Sequence, residues 1–269
     1  MGKIKEIEAR EILASGGAPT VEATVILESG VAGEASVSYG ASAGSKEAVV
    51  LLDADSKRFK GKGMLKAVSH IKEKIAPAII GMEGLKNIDQ KMLELDGTHN
   101  KENLGASAIL AVSMAYARAQ AIENKQMLYE YLQDEFELSK STKLPKPMVV
   151  MIEGGKHADN STDLQEYLVS ALGNKGAAEN VRMTMEIYEA LKKILKSEGK
   201  STNVGNEGAF APNGIENNEK AMEYLVRAIE DADYQPGVEA GISLDAAASE
   251  FYNKETQKYH LKLENRDFS

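Results

Sequence analysis

Two carboxylates stand out because each follows or closes a short apolar run. Glu207 follows Asn203-Val204-Gly205 in the segment GNEGAFAPN, and Asp245 closes Ile242-Ser243-Leu244 at the start of SLDAAASEFY. A strand that ends on a charged side chain delivers that charge to the mouth of a pocket. Two acids presented in this way, with the isolated His157 of GGKHADN, point to a metal-assisted or acid–base site. For Glu207, the flanking Gly205 and Gly208 allow a sharp turn and close approach of a ligand to the backbone; the same pattern also describes an ordinary turn with a solvated Glu. Strands disfavour Asp, so Asp245 is either the N-cap of a following helix or an oxygen ligand for a hard cation such as magnesium.

Further candidates come from the segments between them. Gln165 and Glu166 in DLQEYLVS point to opposite faces of a strand, and alternation alone does not decide which is functional. His157, after two glycines and before Ala158-Asp159-Asn160, is either a solvated loop residue or a donor to a phosphate or a metal-bound carboxylate. His70, His99 and His260 have no comparable setting and read as surface residues. The small-residue loop GASAGS at 40–45 is either a flexible connection or a flap that closes over a ligand, with Ser42 offering an oxygen. No P-loop, dinucleotide fingerprint or HExxH is present.

The elements that must position these residues fall into two parts. Residues 4–13, 20–27 and 34–39 read as three strands of an antiparallel meander, with a turn at Ser15-Gly16-Gly17-Ala18-Pro19. Leu65, Val68, Ile71 and Ile75 have helical spacing, which Pro77 is expected to end. The Ala-rich stretch 103–124 predicts a second, long helix. Strands followed by helices make an α+β domain at 1–134. The polar segment 133–147, with two prolines, reads as the linker. In the remaining 135–269, strands at 148–152, 163–172, near Val204 and at 241–245 alternate with helices around 181–195 and 221–229. Gly199 sits where the first of those helices would be capped. That alternation predicts a parallel α/β domain, with a barrel as the candidate, although the strands are too few to close an eight-stranded one.

Composition narrows the function classes. With 43% hydrophobic residues in 269, the chain can bury a sizeable core. A net charge of −9 argues against nucleic-acid or anionic-membrane partners, which require a concentrated Lys/Arg field. The absence of cysteine rules out disulfides, zinc thiolates and thiol nucleophiles, and the cytoplasm is the expected compartment. The N-terminus MGKIKEIEAREIL has no signal-peptide pattern. The longest apolar run, LGASAILAVSMAYA, is shorter than a membrane span needs.

Taken in order, AREILASGGAPTVEATV, YGASAGSKEAV, KGKGMLKAVSHI, ELDGTHNKENLGASAILAVSMA, GGKHADN, DLQEY, VGNEGAFAPN and LDAAASEFY resemble the blocks of the enolase family. The resemblance runs from Ile7 to about Leu261. It implies an α+β N-terminal domain followed by the first part of a TIM-like barrel of unusual strand order. It also implies magnesium-dependent interconversion of 2-phosphoglycerate and phosphoenolpyruvate, and a homodimer formed through the N-terminal domain. By the same resemblance, Glu207 is the acid that assists departure of the 3-hydroxyl, and His157, Gln165 and Glu166 bind substrate. Asp245 is the first ligand of the tight magnesium, and Ser42 contributes to a second magnesium when its loop closes.

The chain also departs from the family pattern. The turn usually written DSRGNPT is ASGGAPT here, PSGASTG is SYGASAG, and GDEGG is GNEGA, so Asn206 removes a charge beside Glu207. The family's later strands carry two more carboxylate ligands, a lysine base and further substrate-holding residues, which have no counterpart before Ser269. The expectation is that these 269 residues alone are inactive and expose strand edges. The competing expectation is a non-catalytic binding or scaffolding protein derived from an enolase.

Overall fold

The computed structural model describes residues 2–37, 40, 44–141, 143–173 and 175–269. The chain forms two compact units, the first running to Gly40 and on from Lys46, the second starting at Lys143 and also including Gly44 and Ser45.

In the first unit, β1 (Ile4–Leu13), β2 (Pro19–Leu27) and β3 (Ala32–Ser36) form an antiparallel sheet in sequence order. Alternation sets its register: Ala9 faces Ala23, and Ala23 faces Ala35. Val21, Ala23, Val25 and Leu27 of the central strand are all buried. β3 starts two residues earlier than its apolar pattern suggests. The tight turn after β2, closed by the Leu27 N–H to Val31 carbonyl bond of 2.8 Å, brings the chain straight back and recruits Gly33 opposite Val25. That glycine is required. A Cβ there would lie 2.2 Å from Ala119 N and 2.4 Å from Ala115 O of α4 (Ala106–Glu123). Small residues on both surfaces let this helix lie directly on the sheet, and Ala108, Ala111, Ala115 and Ala119 of α4 are fully buried.

Pro77 does not end the preceding helix. α1 (Leu65–His70) passes through a π-turn at Ile71–Ile75 into α2 (Ala76–Ile79) with right-handed backbone throughout. Proline has no N–H and crowds the carbonyl one turn back; the wider turn just before it makes the room. α3 (Leu85–Asp96) follows, and its last residue explains much of ELDGTHNKENLG. The Asp96 carboxylate accepts the N–H groups of Thr98 (3.1 Å), Asn103 (3.1 Å) and Leu104 (2.7 Å), and also the Thr98 hydroxyl. Burial pushes this carboxyl up, but the hydrogen bonds outweigh burial and hold it below the usual range. α5 (Leu128–Glu135) takes the first residues of the expected linker, because Tyr131 is buried in the core and Leu132 packs on it.

In the second unit, β4 (Met148–Glu153), β5 (Glu166–Ala171) and β6 (Ala240–Asp245) form one sheet in that order. Both pairings are antiparallel, which corrects the all-parallel expectation. β4 and β5 are joined by a loop with no helix, so the chain reverses direction between them. β6 runs opposite to β5 although two helices, α6 (Ala177–Ser197) and α7 (Asn218–Asp231), lie between them. Met183, Ile187, Leu191 and Ile194 of α6, and Ala221, Leu225, Ala228 and Ile229 of α7, recur at helical spacing and bury against Tyr167, Val169 and Ile152. Gly199 has a positive φ (69°) just past the end of α6, where a left-handed residue stops a helix. Near Val204 there is only an isolated bridge to Phe210, which closes a turn at 205–209. β7 (Tyr252–Asn253), β8 (Lys258–Leu261) and β9 (Arg266–Phe268) form a second small antiparallel sheet that apolar periodicity does not announce. Among the described residues no helix is long and apolar enough to cross a membrane.

Candidate active site

The sheet register brings acids together at one end of the second unit. Glu153, the last residue of β4, is the cross-strand partner of Glu166, the first of β5; Glu166 is in turn the partner of Asp245, the last of β6. Directly opposite residues share a face of a sheet, so three carboxylates stand in one row. A fourth, Glu207, arrives on the 205–209 turn. That turn is tied down by Gly205 N–H to the Ala209 carbonyl (2.9 Å), Phe210 N–H to the Met151 carbonyl (3.0 Å) and Asn206 N–H to the His157 carbonyl (3.3 Å).

His157 is buried rather than solvated. Its Nδ1 lies 3.4 Å from Glu166 Oε1 and 3.8 Å from Glu207 Oε1, and makes no hydrogen bond. His157, Glu166 and Glu207 each bring one potential ligand atom within 4.8 Å of the others. Gln165 is also buried; its Oε1 is unpartnered, while its backbone carbonyl accepts the Gly154 N–H at 2.9 Å. Asp245 is exposed and uses Oδ1 to accept the Ala247 N–H at 3.1 Å, a turn bond rather than a helix cap. Ser42 lies outside the described residues.

Burial pushes the Glu166 carboxyl above its ordinary range, the charges of Glu207 and Asp245 push it further, and only His157 opposes them. Among the described residues, no Lys or Arg forms an ion pair with Glu166, Glu207 or Asp245, and the nearby Lys156 pairs with Glu250 at 2.8 Å. Converging carboxylates with no protein counter-charge are a suitable donor set for a hard divalent cation, and an unbonded imidazole edge beside them suits a hydrogen-bonding substrate.

The electrostatics carry a stability prediction. An acid whose folded pKa is raised keeps its proton in the fold after the unfolded chain has lost it. Its cost to stability is therefore absent below the unfolded value and grows as pH rises through the folded one. Glu166→Gln removes that cost and is expected to raise Tm by about 2–4 °C at pH 7, with the gain vanishing near pH 4. Thermal melts of both proteins across that pH range check it; an equal gain at both pH values refutes the electrostatic origin.

Glu153 is the residue of this acid row that sequence reasoning passes over. It closes the apolar run Met148–Ile152 just as Asp245 closes its own, so a signal for it exists. Its side chain is fully buried. One oxygen accepts the Ala209 N–H at 2.7 Å, and the Glu207 N–H is shared between both oxygens at 3.0 and 3.2 Å.

Comparison with known families covers nearly the whole chain. Residues 4–132 match the family model described as the enolase N-terminal domain, and residues 141–269 match that of the enolase C-terminal TIM barrel domain. The three-stranded sheet with its helices corresponds to the first of these, and the β4–β6 unit to part of the second.

Proposed function

The chain belongs to the enolase family, and on that premise we propose that it serves the magnesium-dependent, reversible dehydration of 2-phosphoglycerate to phosphoenolpyruvate, as a cytoplasmic homodimer. The observation that carries this reading is the convergence of Glu166, Glu207 and His157 from three separate segments, with Asp245 adjacent and no cation to neutralise them.

Dehydration must remove a weakly acidic proton next to a carboxylate, which by resemblance passes to a lysine on one of the family's later barrel strands, and expel hydroxide, a poor leaving group. Glu207, protonated, gives its proton to the 3-hydroxyl, which then departs as water. Glu166 lies beside it, and burial together with the charge of Glu207 raises its carboxyl above the ordinary range. Among the described residues, His157 Nδ1 and Gln165 Oε1 are buried without a hydrogen-bond partner, so substrate can bond to the ring nitrogen and donate to the amide oxygen. Magnesium, when bound, stabilises the negative charge that develops on the substrate carboxylate. By resemblance, Asp245 would hold it, and Ser42 would contribute to a second magnesium.

The test is to add 2-phosphoglycerate to the purified native protein with and without magnesium, following phosphoenolpyruvate by its absorbance and ligand binding by calorimetry. Magnesium-dependent turnover that chelation abolishes supports the reading. Absence of both turnover and magnesium-dependent 2-phosphoglycerate binding rejects it.

A further inference from the structure

We propose that Glu153 is a positioning residue for Glu207: a buried carboxylate that holds the 205–209 turn, and therefore the acid it carries, at a fixed place beside His157 and Glu166. The inference deepens the functional reading above and rests on it for the role of Glu207.

The geometry is specific. Glu153 has no exposed surface and, among the described residues, no Lys or Arg partner. Such a burial is unfavourable unless other groups compensate, and here the compensation comes from backbone amides of the one turn that bears Glu207. The amide of Glu207 itself is one of the donors, so the carboxylate grips the acid's own residue. Gly205 faces Oε2 of Glu153 so closely that a Cβ would lie 2.3 Å from it and 2.9 Å from the His157 carbonyl. The turn is thus wrapped around the carboxylate on two sides. The strand is also fixed to the turn, since the Glu153 N–H donates to the Phe210 carbonyl at 2.9 Å.

This arrangement demands a carboxylate rather than an amide. Both oxygens receive N–H groups, and a carboxylate only accepts. A glutamine with its oxygen at the Oε1 position keeps one bond to each amide but sets its NH₂ group 3.2 Å from the Glu207 N–H, donor against donor, which loosens the turn. Glu207 is half exposed, and among the described residues its side chain meets only His157, at 3.8 Å, and the like-charged Glu166 carboxyl. Its orientation is therefore set from below, through its backbone, and a loosened turn displaces the acid without removing it.

The experiment compares wild type, Glu153→Gln, Glu207→Gln and the double variant in the native protein. Glu153→Gln is expected to lower kcat about 10–100-fold, with KM changed less than about threefold. Amide hydrogen exchange at Glu207 and Ala209 should accelerate by about tenfold or more, with β5 and α6 unchanged. Because Glu153 acts through Glu207, the double variant should be no slower than Glu207→Gln alone. If the two single effects multiply instead, or if exchange at the two amides is unchanged, the proposal is overturned. If Glu153→Gln does not fold, Gly205→Ala carries the same measurements, since its methyl group presses on the same carboxylate. A protein that neither turns over 2-phosphoglycerate nor binds it with magnesium would sink the functional reading, and the two amides would still decide whether Glu153 holds the turn.

Discussion

Glu207→Gln is expected to lower kcat for 2-phosphoglycerate about 10³-fold while leaving KM within about threefold and Tm within about 1 °C. Glutamine preserves the size of the side chain and its hydrogen-bonding reach but has no proton to give to a departing hydroxyl. The interaction lost exists only while the C–O bond is breaking, so the effect falls on kcat rather than on binding. Stability is spared for a structural reason. The Glu207 side chain is 47% exposed, and what fastens residue 207 to the fold is its backbone N–H on Glu153, which the substitution does not touch. The pH profile gives an independent check, because the limb assigned to the acid should disappear from kcat in the variant. A Glu207→Gln protein that keeps more than about a third of wild-type turnover, outside the range of general-acid effects, removes Glu207 from the acid role.

Much of this was legible in the residues, for reasons that can be located. β1 and β2 are read from alternation because one face of the meander is buried and the other is wet. α4 is read from its unbroken small apolar residues, and its close seat on β3 is hinted at by Gly33. Glu207 and Asp245 stand out because a carboxylate at the end of an apolar run has no place in strand propensity. The direction of β5 was not legible: periodicity reports which face of a strand is buried, not which way the strand runs, and β5 runs against both neighbours although one connection is a helix-free loop and the other holds two helices. β7 to β9 escaped because strands of two to four mostly exposed residues carry no apolar pattern. The π-turn before Pro77 is a tertiary accommodation of a local conflict, and the local rule on its own ends the helix. Glu153 shows a different limit. Its position at the end of a run marks it as unusual, but only the fold reveals that its charge turns inward to bind amides while those of Glu166 and Asp245 remain in the cluster.

Asp245→Asn should give the largest change in metal binding, and the reason lies in the row of acids across β4, β5 and β6. Asp245 and Glu207 both raise the Glu166 carboxyl, which means that the three charges repel one another in the folded protein. A divalent cation bound there relieves that repulsion, so its affinity depends on the number of charges it neutralises. Removing the Asp245 charge weakens magnesium on the order of 100-fold. In calorimetry the isotherm moves accordingly. In thermal melts, a magnesium concentration 100 times the wild-type Kd contributes about 2.7 kcal/mol to the wild type and only about 0.4 kcal/mol to the variant. The same substitution has the opposite effect in the absence of metal. With one of its raising neighbours neutral, Glu166 titrates lower, and the metal-free variant is more stable than metal-free wild type at neutral pH. The two stabilities should therefore cross as magnesium is added. Simple loss of a structural contact cannot produce a crossing, because the side-chain bond that Asp245 makes among the described residues, from the Ala247 N–H, is kept by the Asn carbonyl. Parallel curves without a crossing would place the metal away from Asp245.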